Sequence, residues 1–395
     1  MTAGPGAAHH DVVITTLAFD PAYKAGGPIK SVAEVLDNIR PEITCLVITS
    51  DRDLGDVHPF PDLSGKLVNR GRHQIYYLDR SRVGHWLRAL RLVRAAHPEV
   101  LYLNSFWSPY FTFLPILATL CRLIRPRRVL LAPRGEFAPG ALALKARKKR
   151  LMLPLWSAAT RLVRPTIQAS SPSEADLIRQ SLPWTESSII LQNSLGPAPE
   201  REVVAPGTSP RLVYIGRVAR IKNVKLSLEA LELVPTGLSL DIYGTIEDPA
   251  YWSECLEVIG RLPEHVTVHY RGELEPRNVR PTFAQYDAFV MPTAGENFGH
   301  AIAESLSAGC PVLCSTATPW SSLLRAGGGA AVDSFDHRAW AKEIDRWARL
   351  TAPERMSAKE AALHAYAEWR TASRRKLAVE DVIDGRATDR ARSRT

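Results

Sequence analysis

Two carboxylates, Glu296 and Glu304, stand in the segment MPTAGENFGHAIAESLSAGCPVLCS, Met291 to Ser315. An apolar run, AFVMP, leads into a loop of small residues. The pattern beyond it predicts a helix from about Phe298 to Ala308, capped by Asn297 and stopped by Gly309 and Pro311. The leading amides, those of Phe298, Gly299 and His300, are then open to an anion, and Gly299 lets a phosphate approach closely. At a helical rise of about 1.5 Å per residue the two carboxylates lie roughly 10 Å apart along the axis. That is too far to share one proton or one metal ion. It suits two different hydroxylated groups on either side of a diphosphate, a hexose on Glu296 and a ribose on Glu304. Alone, the same residues describe a capped helix with a surface carboxylate.

Cations accompany the acids. In YIGRVARIKN, Arg217 directly follows an apolar run and Lys222 lies at the start of the next helical pattern. Two cations at strand ends can neutralise a diphosphate and stabilise a nucleotide leaving group as its charge develops. Near the chain start, YKAGGPIKS puts Gly26 and Gly27 in a loop after the first apolar run, with Pro28 opening a helix. A glycine pair there admits a phosphate but discriminates poorly.

These residues need a scaffold with strand ends gathered on one side. The runs DVVITTLAF, TCLVITS, VLYL, RVLLA, TIQAS and SIILQ alternate with helical patterns and are apolar throughout, as strands of a parallel sheet covered on both faces are. Then LGPAPEREVVAPGTSP, rich in proline and without periodicity, reads as a linker. Alternation restarts with RLVYIG, a helix from about Asn223 to Leu233, LSLDIYG, VTVHYRG, AFVMP and PVLCS. The expectation is an α/β chain: a Rossmann-like domain over 1–195, a linker over 196–209, a second Rossmann-like domain over 210–365, and over 366–395 a helix and polar tail able to pack back on the first domain. A length of 395 residues fits two cores better than one.

The chain resembles the retaining family-4 (group 1) glycosyltransferases, above all bacterial enzymes of exopolysaccharide and lipopolysaccharide assembly. The likeness rests on AGGPIKSVAEVL, LAPRGEF, GRVARIKN, the Glu-x7-Glu element ENFGHAIAE, and GCPVLCSTATPW. The resemblance implies a GT-B fold, two Rossmann-like domains facing each other across a cleft, with a nucleotide-sugar donor in the second and an acceptor in the first. By position, it makes Arg217 and Lys222 the diphosphate ligands, Glu304 the ribose ligand and Glu296 the partner of the transferred hexose. It makes Gly27 the glycine that meets the donor phosphates on closure, and sets Tyr270 and Arg271 beside the base. Where many relatives carry histidines facing the transferred sugar, this chain has Asn104 in LNSFWSP and Arg134 in APRGEF. Those two are the candidates for that place.

The resemblance further implies transfer with retention, by attack on the face from which the nucleotide departs, with the donor phosphate taking the proton. No carboxylate nucleophile for a double displacement is evident, nor a DxD motif, so transfer without metal or cofactor is expected, with a UDP- or GDP-sugar as co-substrate. The acceptor class is a glycan, a lipid-linked sugar or a small molecule. Epimerases and phosphorylases on the same fold would share the cations but not need ENFGHAIAE. A non-catalytic nucleotide-sugar sensor would keep Arg217, Lys222 and Glu304 without a use for Glu296. An oxidoreductase is disfavoured because GxGxxG is missing after the first strand.

The remaining composition is that of an ordinary globular protein, 45% hydrophobic and 23% charged. Five scattered cysteines without a CxxC pair read as free thiols, and the first residues lack a signal-peptide pattern, so a cytoplasmic protein is expected. Val100 to Cys121 is uncharged but too polar and interrupted for a membrane helix, and reads as a buried strand, a loop and an apolar core helix. The net charge of +9 is concentrated: Arg122 to Arg164 holds twelve Lys or Arg against one acid, Glu136. The KARKKR cluster at 145–150, flanked by bulky apolar residues, predicts contact with anionic lipid at the inner face of the membrane, or else a solvated helix face. Nucleic acid is not expected, since no binding motif accompanies the charge.

Overall fold

A computed structural model describes residues 9–138, 141–142, 146–185, 189–191, 196–373 and 377–385. The chain divides into two compact units, Met1–Ser194 with Arg375–Thr395, and Leu195–Arg374.

The first unit carries an eight-stranded sheet: β1 (Val12–Thr15), β2 (Cys45–Ser50), β3 (Leu67–Arg70), β4 (His73–Leu78), β5 (Val100–Leu103), β6 (Arg128–Leu131), β7 (Thr166–Ala169) and β8 (Ile189–Leu191), in the order β3-β4-β2-β1-β5-β6-β7-β8. All neighbours are parallel except β3 and β4. Its helices include α1 (Gly27–Asn38), α2 (Val83–Ala96), α3 (Leu114–Leu120), α4 (Ala146–Leu162) and α5 (Pro172–Ser181). Strand alternation sorts the core onto two faces: Val12 and Ile14 pack with Val32, Val35 and Leu36 of α1, while Val13 packs with Leu46, Leu101 and Leu103 and with Val93 of α2. Burial on both sides is why these strands read as unbroken apolar runs. Each such Val or Leu contributes about 1.5–3 kcal/mol by leaving water.

The second unit carries six parallel strands: β9 (Arg211–Ile215), β10 (Leu238–Tyr243), β11 (Val266–Tyr270), β12 (Ala288–Met291), β13 (Val312–Ser315) and β14 (Gly329–Val332), ordered β11-β10-β9-β12-β13-β14. Among its helices are α6 (Val224–Leu231), α7 (Pro249–Ile259), α8 (Pro276–Ala284), α9 (His300–Ser307), α10 (His337–Ala348) and α11 (Ala352–Ala372). The proline-rich segment is held on this unit: Tyr366 Oη donates to Pro197 O at 2.8 Å, and Glu200 N to Ser307 O at 2.8 Å. A last helix, α12 (Ala378–Ile383), belongs to the first unit. Its Val379 and Val382 enter the core beside Val32, and Glu380 accepts from Arg40 N at 2.8 Å.

Several expectations need correction. The β3–β4 hairpin and β14 are additional strands. The first has polar residues in its edge strand, and the second, GAAV, has little apolar bulk. The segment after β5 is a five-residue π-turn, Pro109–Phe113, followed by α3, and α3 is no core helix: only Ile116 is buried, whereas Leu114, Leu117 and Leu120 are exposed. Helix α6 starts at Val224, after a 3-10 turn Arg220–Lys222, so Lys222 precedes the helix. Helix α9 starts at His300, two residues later than expected. Asn297 does not cap it; Gly299 does, in the left-handed conformation at φ 80°. Phe298 is instead buried against Trp320, and the Trp320 Nε1 donates to its carbonyl, which holds that residue outside the helix. Of the basic cluster, Lys145 lies outside the described residues.

Candidate functional site

In an open parallel sheet, ligands collect at the carboxyl ends of the strands where the chain switches direction across the sheet. The second unit has that point between β9 and β12, since β10 and β11 lie on one side of β9 while β12, β13 and β14 lie on the other. The turn after β9 carries Arg217 and Lys222, and the loop after β12 carries Glu296.

These two segments are stitched together by backbone. Ala294 N donates to Ile221 O at 2.8 Å, and Thr293 Oγ1 to the same carbonyl at 3.1 Å. Glu296 N donates to Ala317 O at 3.1 Å, tying in the loop after β13. Lys222 Nζ and Glu296 Oε1 form an ion pair across this junction, with both side chains mostly shielded from water. Arg217 lies in a neighbouring position. Its carbonyl accepts from the fully buried Tyr214 Oη at 2.9 Å, and its guanidinium pairs with the exposed Glu247. Burial, with Glu296 as the next cause, pushes the Tyr214 phenol well above its ordinary range, so it stays a neutral donor beneath the Arg217 turn.

The turn after β10 closes against the same place. A Cβ built on Gly244, whose φ is 136°, would lie 1.9 Å from the Gly216 carbonyl oxygen, so only glycine allows the two turns to touch. Tyr270 Oη donates to Gly244 O at 2.8 Å and so joins this group. Arg271 is used differently: its Nε donates to Asp241 Oδ1 at 3.1 Å, and Asp241 also accepts from Tyr286 Oη at 2.6 Å. That guanidinium covers a buried carboxylate.

Beyond Glu296, the Phe298 ring lies 5.2 Å from Trp320 and 4.9 Å from the His300 ring, and Trp369 of α11 lies 4.5 Å from Trp320. This aromatic wedge fixes Gly299 and the start of α9. Glu304 sits in the second turn of α9, half-buried. The second unit thus brings Arg217, Lys222, Glu296, Tyr270, Phe298, Gly299, His300 and Glu304 to the β9/β12 switch point and the helix that leaves it.

The first unit has its own switch point between β1 and β5. Gly26, at φ 65°, precedes α1, which opens with Gly27 and Pro28. The buried Asn104, just past β5, donates from Nδ2 to Pro28 O at 3.1 Å and to Thr16 Oγ1 at 3.2 Å, and its Oδ1 accepts from Arg134 Nε at 2.8 Å. Asn104 and Arg134 are therefore one cluster, tied to the head of α1 through the Pro28 carbonyl next to Gly27. Arg134 is held at φ 56°, a conformation that costs a non-glycine residue about 1–2 kcal/mol. A second hydrogen bond, to the buried Tyr102 Oη, which in turn donates to Gln168 Oε1 at 2.8 Å, holds it there.

Carboxylates that sequence reasoning passed over support both loops. Glu136 accepts from Ser105 Oγ at 2.8 Å and from the amides of Phe106 and Trp107, and burial raises its pKa above the ordinary carboxylate value. Glu174 accepts from the amides of Gly135 and Ser170. Glu136 stands out in the sequence as the lone acid of a basic stretch, though nothing there ties it to the loops; Glu174 and Trp320 carry no comparable local signal.

With this geometry in view, comparison with known proteins is specific. The chain is similar in structure to the crystal structure of Anabaena HepE in complex with UDP and glucose, with a TM-score of 0.67 at 13% identity over 96% of this chain and 98% of that one. The fold is of the GT-B class, with a Rossmann-like parallel sheet in each unit. Residues 199–364 match the family model of glycosyl transferases group 1. Over 149 residues the chain is 28% identical to the O-antigen chain mannosyltransferase B of Escherichia coli, 35% of this chain and 38% of that one. Over 165 residues it is 27% identical to the D-inositol 3-phosphate glycosyltransferase of Xylanimonas cellulosilytica, 39% of each. The matched portion spans about two fifths of the length of these curated relatives.

Proposed function

We propose that this chain is a retaining hexosyltransferase, moving a sugar from a nucleotide diphosphate sugar to a glycan, lipid-linked or small-molecule acceptor in cell-surface polysaccharide or glycoconjugate assembly. The observation that carries this reading is the shielded Lys222–Glu296 pair at the switch point, with Arg217 beside it. A cation and a carboxylate held together there can take the two halves of a sugar diphosphate at once: Lys222 a phosphate oxygen, Glu296 a hexose hydroxyl. The exposed Arg217–Glu247 pair costs little to exchange, because surface pairs contribute about 0–1 kcal/mol, so Arg217 is available to the second phosphate.

Glu304 is assigned to the ribose and the Tyr270 region to the base, UDP or GDP. In the transfer step the anomeric carbon–oxygen bond to phosphate breaks and the acceptor hydroxyl oxygen bonds to that carbon from the same face. Its proton passes to the departing phosphate oxygen, whose charge Arg217 and Lys222 neutralise. In the first unit, the Arg134 guanidinium, held in place by Asn104, is the group offered to a sugar hydroxyl. The matches to an O-antigen mannosyltransferase and to an inositol-phosphate glycosyltransferase favour a hydroxylated sugar-like acceptor. The test is incubation of the purified full chain with a panel of nucleotide sugars and acceptors, with proton NMR of the product. Turnover with the donor's anomeric configuration preserved is expected. Inverted product, or binding of nucleotide sugar without any turnover, would refute the reading.

A further inference from the structure

Three elements of the first unit place large apolar side chains in solvent together. In α4 the residues Leu151, Leu155, Ala158 and Leu162 recur at the spacing of a single helical stripe, and the three leucines are 80%, 56% and 69% exposed. Helix α3 and the turn after it add Leu114, Leu117, Leu120 and Leu123, between 37% and 46% exposed. The two helices are neighbours, because the Phe113 ring at the head of α3 stacks on Trp156 of α4 at 4.4 Å. Seven exposed leucines on adjoining elements exceed the scattered apolar residues of an ordinary surface.

The rim of this surface carries one sign of charge. Arg147, Lys148, Arg150, Arg161 and Arg164 on and after α4 are exposed, as are Arg122 and Arg125 after α3. Lys149 is not part of it, since its ammonium donates to Ala141 O at 2.6 Å and lies over the Trp107 ring. From Val100 to Pro172 the single acid is Glu136, and both its oxygens are occupied by the loop hydrogen bonds described above. No helix among the described residues is long and apolar enough to cross a bilayer.

We infer that the surface formed by α3 and α4 docks on an anionic lipid bilayer, the leucines entering the acyl boundary and the arginines and lysine meeting the headgroups. Leucine centred between cations is the pattern of a helix lying in a membrane interface. A second copy of the chain is a poorer occupant, because a two-fold contact sets the same basic rim against itself. Nucleic acid would leave the leucines unsatisfied, its surface being polar and charged. Such docking would set the first unit at the surface where a lipid-linked acceptor resides, whereas the donor is water-soluble.

The test uses the full chain with extruded phosphatidylcholine vesicles, with or without roughly 30% phosphatidylglycerol, read by co-sedimentation and hydrogen exchange. Wild type should bind the anionic vesicles, weaken as salt rises, and gain protection over 114–123 and 146–162. Leu117→Asn with Leu120→Asn, Leu151→Asn with Leu155→Asn, and Arg147→Gln with Lys148→Gln and Arg150→Gln should each lower partitioning about tenfold or more. Nucleotide-dependent thermal protection, which belongs to the other unit, should be unchanged in all three, and so separates failed docking from failed folding. The inference is overturned if neutral vesicles bind equally well or the leucine variants bind like wild type. It is also overturned if protection appears elsewhere, or if light scattering shows a dimer that the leucine variants abolish while vesicles are ignored.

Discussion

Lys222 and Glu296, 74 positions apart in the chain, meet in an ion pair whose side chains are only 15% and 11% exposed. Neither residue lies in a regular helix: one ends a 3-10 turn and the other sits in a loop. The pair is made by the hydrogen bonds that tie Ile221 to Thr293 and Ala294, so it belongs to the parallel alignment of β9 with β12. Under the proposed function the pair divides its labour on one ligand, the cation toward phosphate and the acid toward sugar.

Division of labour predicts unequal mutants. Lys222→Ala should weaken nucleoside diphosphate binding by roughly 10- to 100-fold, the loss expected for one charge-assisted hydrogen bond of about 1.5–3 kcal/mol. Glu296→Gln should leave that affinity within about threefold while transfer falls about 100-fold or more. Calorimetric titration beside a turnover assay checks both; equal loss of binding and turnover in Glu296→Gln would contradict the division.

Arg134 stands at a backbone conformation that glycine tolerates. Arg134→Gly removes the guanidinium and relieves about 1–2 kcal/mol of local strain, so the first unit should not lose stability by more than its two hydrogen bonds. Transfer should still fall about 100-fold with donor binding intact, and Arg134→Lys should not restore it, because one ammonium cannot serve both Asn104 Oδ1 and Tyr102 Oη. Retained activity in Arg134→Gly would leave Arg134 a purely structural residue.

Gly299 sets the start of α9. A Cβ there would meet Ile302 Cδ1 at 3.0 Å and Trp320 Nε1 at 3.3 Å, at a φ that L side chains rarely adopt. Gly299→Ala should therefore cost about 1–3 kcal/mol in stability and raise the KM for donor several-fold. Trp320→Phe keeps the packing but loses the bond to the Phe298 carbonyl. It should show the KM effect with a smaller stability loss. Unaltered donor KM in both, by steady-state kinetics, would disconnect the wedge from the site.

His73 supplies a pH test of the first unit. Its Nδ1 accepts from Cys45 N at 3.1 Å and its Nε2 pairs with Leu36 O at 3.1 Å, an arrangement that needs the neutral ring, and burial lowers its pKa below the ordinary value of 6.5. The unfolded chain then binds the extra proton, so this contribution is present above pH 6.5 and is lost as pH falls through the folded value, with a slope of at most about 1.4 kcal/mol per unit. His73→Asn should be about 1–2 kcal/mol less stable at neutral pH and should lack that part of the acid slope in urea titrations. An identical slope in the variant would remove His73 as the cause.

Much of the fold was legible because strands buried on both faces are dominated by apolar residues, as VVIT, CLVITS and VLYL are. What escaped were elements without that burden: the edge strand LVNR, half-buried except for the exposed Asn69, and GAAV, whose small residues give no apolar signal. Helix α3 misled for the opposite reason, since its leucines are apolar without being buried. Of the candidate residues, Arg217 and Lys222 stand out in the sequence as cations in the turn after one apolar run, and Glu296 as an acid in the small-residue loop after another. The true start of α9 does not, because a distant aromatic, Trp320, holds Phe298 out of the helix that the local pattern would extend. The Asn104–Arg134 contact likewise depends on β5 and β6 being sheet neighbours.

The claim on which the account depends is that a diphosphate seats at the β9/β12 switch point. It is tested most directly by titrating UDP and GDP into wild type, Arg217→Ala and Lys222→Ala at low and high salt. The account predicts that wild type binds at least one of the two nucleotides, that each variant loses about tenfold or more, and that the loss shrinks as salt screens the charge. Nucleotide binding of wild-type strength in both variants would contradict it.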